Sequence, residues 1–144
     1  TSLVIGRALQ LNGGGQLIGF DQHAGFVEET ARWLASYGVE AQLWPAPIVL
    51  EPNVWGSRWY RLPTIPEAID MLVIDGPPWA IHPFARGHAE VLFDRIRPGG
   101  VVLLDDAARP GERVVARQWR RRWPQFRFRL LRGGKGTLIG RRRR

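Results

Sequence analysis

Two uninterrupted apolar stretches, Met71-Leu72-Val73-Ile74 and Val101-Val102-Leu103-Leu104, each run straight into acid, at Asp75 and at Asp105-Asp106. A strand with one wet face alternates apolar and polar residues. A strand apolar on both sides is buried on both, as in parallel sheets covered by helices. Gln16-Leu17-Ile18-Gly19-Phe20-Asp21 repeats the pattern, again ending in an acid. Helical spacings alternate with these strands, over Leu3 to Leu11, Gly25 to Gly38, Ala85 to Arg97 and Glu112 to Trp123. The alternation predicts an α/β fold with a doubly wound, mostly parallel sheet.

Other punctuation fits this frame. Asn12-Gly13-Gly14-Gly15 stops the first helix. Val39 to Trp44 reads as a strand broken by Pro45-Ala46-Pro47, and Pro98-Gly99-Gly100 closes an amphipathic helix whose Val91, Leu92 and Ile96 point inward. Phe126 to Leu131 alternates as a strand, and Gly136 to Gly140 reads as a short last one. Residues 48 to 67, with Pro52, Pro63 and Pro66 around Trp55, Trp59 and Tyr60, are expected to form a long ordered connection, because aromatic residues at that density require burial.

At 144 residues the chain is long enough for one self-sufficient core, expected over 1–140 with 141–144 as a basic tail. The absence of cysteine excludes disulfides, a thiolate nucleophile and a cysteine-ligated metal. No apolar run reaches the ~20 residues of a membrane span, and the first residues lack a signal-peptide pattern, so a cytoplasmic protein without a membrane partner is expected. Charge is unevenly spread. Residues 109–144 carry thirteen arginines and Lys135 against Glu112 alone, a net +13, whereas residues 1–108 sum to −5. The basic quarter is either a solvated surface or a site for RNA or an acidic partner.

Ligands of doubly wound sheets bind beyond the carboxyl ends of the strands, where Asp21, Asp75, Asp105 and Asp106 all fall. Asp21 can accept both hydroxyls of a ribose, or cap the helix that follows. Asp75 runs into the rigid Gly76-Pro77-Pro78 turn, which aims its carboxylate at the crevice. Asp105 and Asp106 can complete an oxygen-rich site for Mg²⁺ with Asp75, or can cap the next helix and pair with Arg109 or Arg113. His82, seven residues beyond Asp75, is a candidate general base, and His88 reads as structural. The sequence contains no Walker loop, GxSxG elbow or HExxH.

The order helix, strand-Asp21, helix, strand, strand-Asp75-Gly-Pro-Pro, helix, Pro-Gly-Gly, strand-Asp105-Asp106 resembles class I S-adenosylmethionine-dependent methyltransferases, the small O-methyltransferase-like group in particular. Trp59-Tyr60, Arg86, Arg109 with Glu112, Trp119, Pro124-Gln125-Phe126 and Lys135-Gly136 extend the likeness over nearly the whole chain. The resemblance implies a Rossmann-like fold and methyl transfer from S-adenosylmethionine to an oxygen of a small molecule or sugar. It also implies that Asp21 holds the ribose, that Pro45-Ala46 lies beside the adenine, and that Asp75 faces the methyl group and the acceptor. Asp75, Asp105 and Asp106 would bind a divalent cation if one is used, although the third ligand of metal-dependent relatives is commonly Asn. The family's first strand and glycine-rich loop have no counterpart here, and that strand lies centrally, between those of Asp21 and Asp75. A longer parent protein, another segment filling the gap, or loss of cofactor binding would each account for it. In the last case the chain would be a cofactor-free Rossmann-like module binding RNA or an acidic partner.

Overall fold

In a computed structural model of the chain, which describes residues 1–51 and 55–144, the first helix, α1, spans Ser2–Leu11. It ends where predicted, because Gly13, Gly14 and Gly15 take φ of +89°, +112° and +145°, which side chains resist. The turn leads into β1 (Ile18–Asp21), then α2 (Ala24–Ser36) and β2 (Gln42–Pro45). β1 and β2 pair in parallel, from Ile18 opposite Gln42 to Asp21 opposite Pro45. The Ala46 N–H extends the ladder by donating to the Asp21 carbonyl (2.8 Å). These elements belong to a compact unit of Thr1–Val49 and Tyr60–Pro63.

The proline-aromatic connection contains two strands that the sequence pattern did not show, β3 (Ile48–Glu51) and β4 (Ser57–Tyr60), paired as a short ribbon. Both are four residues long, too short for alternation to stand out. Pro52 lies outside the described residues. Trp55 and Trp59 are buried, as their density required.

The second unit, Leu50–Trp59 with Thr64–Arg144, is built on four strands. β5 (Ile69–Ile74) pairs in parallel with β6 (Ile96–Leu104), β8 (Thr137–Arg142) runs antiparallel to β6, and β7 (Phe126–Leu131) antiparallel to β8. The sheet order is β5-β6-β8-β7, and β5 and β1 share no sheet. The parallel pairs thus carry the strand-terminal acids, and the chain is a Rossmann-like α/β protein.

Three expectations change here. Pro98-Gly99-Gly100 lies inside β6, with a register irregularity between Ile69 and Met71 on its partner, instead of ending a helix. The segment before it is a 3-10 helix, Ala85–Arg95. With three residues per turn, Gly87, Glu90 and Phe93 stack in one column. The Gly87 carbonyl accepts from Trp119 Nε1, Glu90 accepts from Trp55 and Trp123, and Phe93 packs edge-on against Trp119 and Trp123. That period turns Val91 outward, 53% exposed, while Leu92 and Ile96 are buried as expected. Finally, β8 continues through Arg142, so only the last two arginines extend beyond it. Arg142 is tied down because its guanidinium donates to the carbonyls of Phe93, Asp94 and Ile96, where the 3-10 helix passes into β6.

α3 (Pro110–Arg122) packs against one face of this sheet. Fully buried Phe93 and Trp119 form the core there with Phe126 and Phe128 of β7. Among the described residues no helix is long and apolar enough to cross a membrane.

Candidate active site

β5 and β6 end in register, Ile74 opposite Leu104, and the Asp105 N–H donates to the Ile74 carbonyl (3.0 Å). Asp75 and Asp105 therefore emerge side by side. Asp106 follows with φ of +53°, a left-handed conformation that Asp tolerates better than most residues. The segment is braced on its far side, where Ala107 and Ala108 donate to the carbonyls of Gly136 and Lys135 in the β7–β8 turn. As a result, carboxylate oxygens of Asp75, Asp105 and Asp106 lie within 4.8 Å of one another.

Like charges that close need compensation. It comes mainly from Arg86, on the 3-10 helix and only 6% exposed. Its Nε donates to the Pro77 carbonyl (3.2 Å), Nη1 to that of Asp105 (3.2 Å) and Nη2 to that of Asp75 (2.5 Å). One guanidinium thus fixes the backbone at the ends of both strands. The same group lies 3.7 Å from the Asp75 carboxylate, 3.6 Å from Asp106 and 3.9 Å from Glu112. Arg109 pairs with Asp106 at 2.7 Å, and Lys135 approaches it at 3.8 Å. The expected pairing with Arg109 is present, whereas no ion pair joins Arg113 to the cluster among the described residues. Neither aspartate caps α3, whose N-cap is Arg109 with no side-chain bond.

The Asp75 carboxyl is raised above the usual carboxylate range, first by partial burial, then by Asp105 and Asp106, while Arg86 and Arg109 pull it down. Its side chain is still 64% exposed, so it meets solvent. Glu112, 2% exposed, is raised chiefly by burial, with Asp106 adding to the rise, and its Oε2 has no hydrogen-bond partner.

His82 sits apart in its bonding. Phe84 N–H donates to its Nδ1 (3.2 Å) and the two rings meet edge-on, but no hydrogen bond or ion pair joins it to the carboxylates among the described residues. His88 is fully buried and stacked on Trp59 (6.0 Å). Burial, with His82 nearby, lowers its pKa to about 4 and keeps it neutral.

In the first unit, Asp21 and Ala46 meet at the ends of β1 and β2. Asp21 Oδ1 accepts the His23 N–H (2.8 Å), closing a local turn before α2. It is not the helix cap, because the N-cap is His23. Beside it, Gln22 Oε1 is buried with no hydrogen-bond partner among the described residues. Ala46 is fully buried. Sequence reasoning named Arg86 and Glu112 only by resemblance.

Acidic groups at the ends of parallel strands stand on the edge where α/β sheets bind their ligands. A methyltransferase domain model matches residues 1–107, and the chain belongs to that family. The resemblance to class I methyltransferases is thereby borne out. A comparison with curated proteins finds no match. Among solved structures, a methyltransferase from Geobacter sulfurreducens is 20% identical over 90% of this chain and 59% of its own (TM-score 0.58). One from Pyrococcus furiosus is 14% identical over 90% and 64% (TM-score 0.59). An rRNA methylase from Streptococcus thermophilus is 15% identical over 95% and 80% (TM-score 0.54). The chain thus spans about three-fifths of the length of the first two.

Proposed function

We propose that the chain serves S-adenosylmethionine-dependent methyl transfer to an oxygen nucleophile, in the cytoplasm. The observation that carries this reading is the in-register emergence of Asp75 and Asp105 from parallel strands, on a chain of the methyltransferase domain family. Family membership favours it over a cofactor-free module. The cofactor, when bound, supplies an electrophilic methyl group on a sulfonium. Asp21 would accept its ribose hydroxyls, for which one local hydrogen bond leaves lone pairs free, with Gln22 Oε1 as a further acceptor. Pro45-Ala46 would border the adenine. Asp75 would face the acceptor, and its raised pKa makes it a better proton acceptor than an ordinary carboxylate. His82 has no bond to the cluster among the described residues, and is the second candidate for the base. Displacement at the methyl carbon gains mainly from alignment, so the chain has little else to supply.

The three carboxylates are the right donor chemistry for Mg²⁺. Asp106, however, is already engaged by Arg109 at 2.7 Å, with Arg86 and Lys135 close by. We read the cluster as compensated by these cations. Calorimetry with S-adenosylhomocysteine tests the central reading. Saturable binding by the 144-residue chain, weakened in Asp21→Ala, is expected, and no binding by the parent chain would overturn it.

A further inference from the structure

The register of the four-stranded sheet sorts its side chains into two unlike faces. Val102, Leu104 and Leu138 are buried on the face that holds α3, with Phe126 and Phe128. On the other face, Met71, Val101, Arg141 and Arg127 stand in one cross-strand row, and Val73, Leu103, Ile139 and Arg129 in the next. Arg127, Arg129 and Arg141 are all exposed, and Arg127 stands directly opposite Arg141. Like charges so placed cost the sheet a few tenths of a kcal/mol or more. None of the three has an acidic partner among the described residues. The basic quarter cannot provide one, since its one acid, Glu112, is buried on α3.

The row of arginines leads to the carboxylate cluster. The β7–β8 turn carries exposed Arg132 and Lys135, and it is bonded to the cluster loop through Ala107 and Ala108, with Lys135 3.8 Å from Asp106. Alternate residues on a strand are spaced about 7 Å apart, the scale on which successive phosphates repeat along an extended strand.

We propose that this face of the β7–β8 hairpin is a phosphate track for single-stranded RNA, leading the acceptor oxygen to Asp75. The track itself stands on charge and register, and only the acceptor role rests on the methyl-transfer reading. Arg127 and Arg129 follow one another along β7 with Arg141 abreast of Arg127, a width that suits one backbone, not the two of a duplex. The neighbouring floor is aliphatic, with no aromatic platform for bases among the described residues, so recognition is by phosphate and tolerant of sequence. RNA also supplies what DNA lacks, a ribose hydroxyl as methyl acceptor.

Anisotropy with a labelled 12-nucleotide single-stranded RNA tests the surface on the full chain. About four phosphate contacts give a log–log salt slope near −3, a loss of roughly 60-fold between 50 and 200 mM salt. Reversing Arg127, Arg129 and Arg141 to Glu should weaken binding at least tenfold, with the thermal midpoint retained. Reversing Arg113, Arg117 and Arg120, the same charge change on α3, should cost far less. Equal losses in the two triple variants, or equal competition by polyglutamate, would overturn the track. Labelled methyl transfer should reach the RNA and not DNA of the same sequence, and equal labelling of both would overturn the acceptor assignment. Track-dependent RNA binding by a chain that fails to bind S-adenosylhomocysteine would uphold the surface and bring down only the methyl-transfer reading.

Discussion

Asp21 and Asp75 end equivalent parallel strands, yet they are held in opposite ways. Asp21 is fixed by its own neighbour, through one hydrogen bond two residues along the chain. Asp75 is fixed by Arg86, eleven residues away, which binds its carbonyl and also those of Pro77 and Asp105. The first arrangement leaves a carboxylate free to exchange solvent for a ligand. The second makes one acid part of a network whose loss would disturb both strand ends. A strand-terminal aspartate is therefore held by a local turn in one place and is a charge within a compensated cluster in the other.

Removing Arg86 should separate the two ends most sharply. Arg86→Ala strips three carbonyls of a buried donor and leaves Asp106 and Glu112 short of a cation. The expected cost is about 3–5 kcal/mol, the scale of a broken buried pair. Urea unfolding at neutral pH measures it. A loss below about 1 kcal/mol would make the guanidinium incidental.

Asp21→Ala should do the reverse. Losing one exposed local turn costs the fold no more than about 1 kcal/mol. Affinity for S-adenosylhomocysteine should fall by roughly 1.5–3 kcal/mol, because a charged acceptor is removed from two hydroxyls. A variant that loses stability while keeping its affinity would place Asp21 with the structural acids.

Glu112 gives a pH test of the clamped end. Burial raises its pKa in the folded chain above the ordinary value of about 4.3. Below that value both states are protonated and the group contributes nothing. Between the unfolded and folded values the folded state holds more protons, so this group's contribution falls as pH rises, and the penalty persists above the window. Asp75 acts in the same direction, more weakly because it is exposed. Relative to the parent chain, Glu112→Gln should thus gain stability as pH rises above the ordinary carboxylate value of about 4.3, as followed by urea midpoints. A difference that stays flat with pH would show that Glu112 keeps its charge at little cost.

The comparison also shows what a sequence can carry. Parallel pairing and the shared edge of Asp75 and Asp105 were legible because continuous apolar runs report burial on both faces. The Asp105-Asp106 pair was legible as a cluster because register brings strand ends together. Arg86 was not, since its partners are backbone carbonyls that no side-chain pattern encodes. The 3-10 helix escaped for a related reason. Val91 and Leu92 fit an α-helical face equally well, and the three-residue period is set by Trp55, Trp119 and Trp123, contributed from distant positions. β3 and β4 are held by pairing with each other, which strands of only four residues do not announce.

The smallest expected effect concerns divalent cations. Oxygens of Asp75, Asp105 and Asp106 within 4.8 Å would attract Mg²⁺ if their charge were unmatched. Arg109 at 2.7 Å and Lys135 at 3.8 Å hold Asp106 from the solvent side, while Arg86 holds it from within. A cation that bound the folded chain alone would raise the thermal midpoint in proportion to its occupancy. The parent chain should therefore melt at the same temperature with Mg²⁺ or with chelator, and its methyl transfer should be indifferent to both. Arg109→Ala removes the nearest compensating charge at about 1 kcal/mol, modest because the side chain is partly exposed. In that variant the cluster regains unmatched charge, and Mg²⁺ should raise the midpoint measurably. A chelator-sensitive parent chain rescued by Mg²⁺ would mean that the metal displaces Arg109, and that Asp75 acts as a ligand.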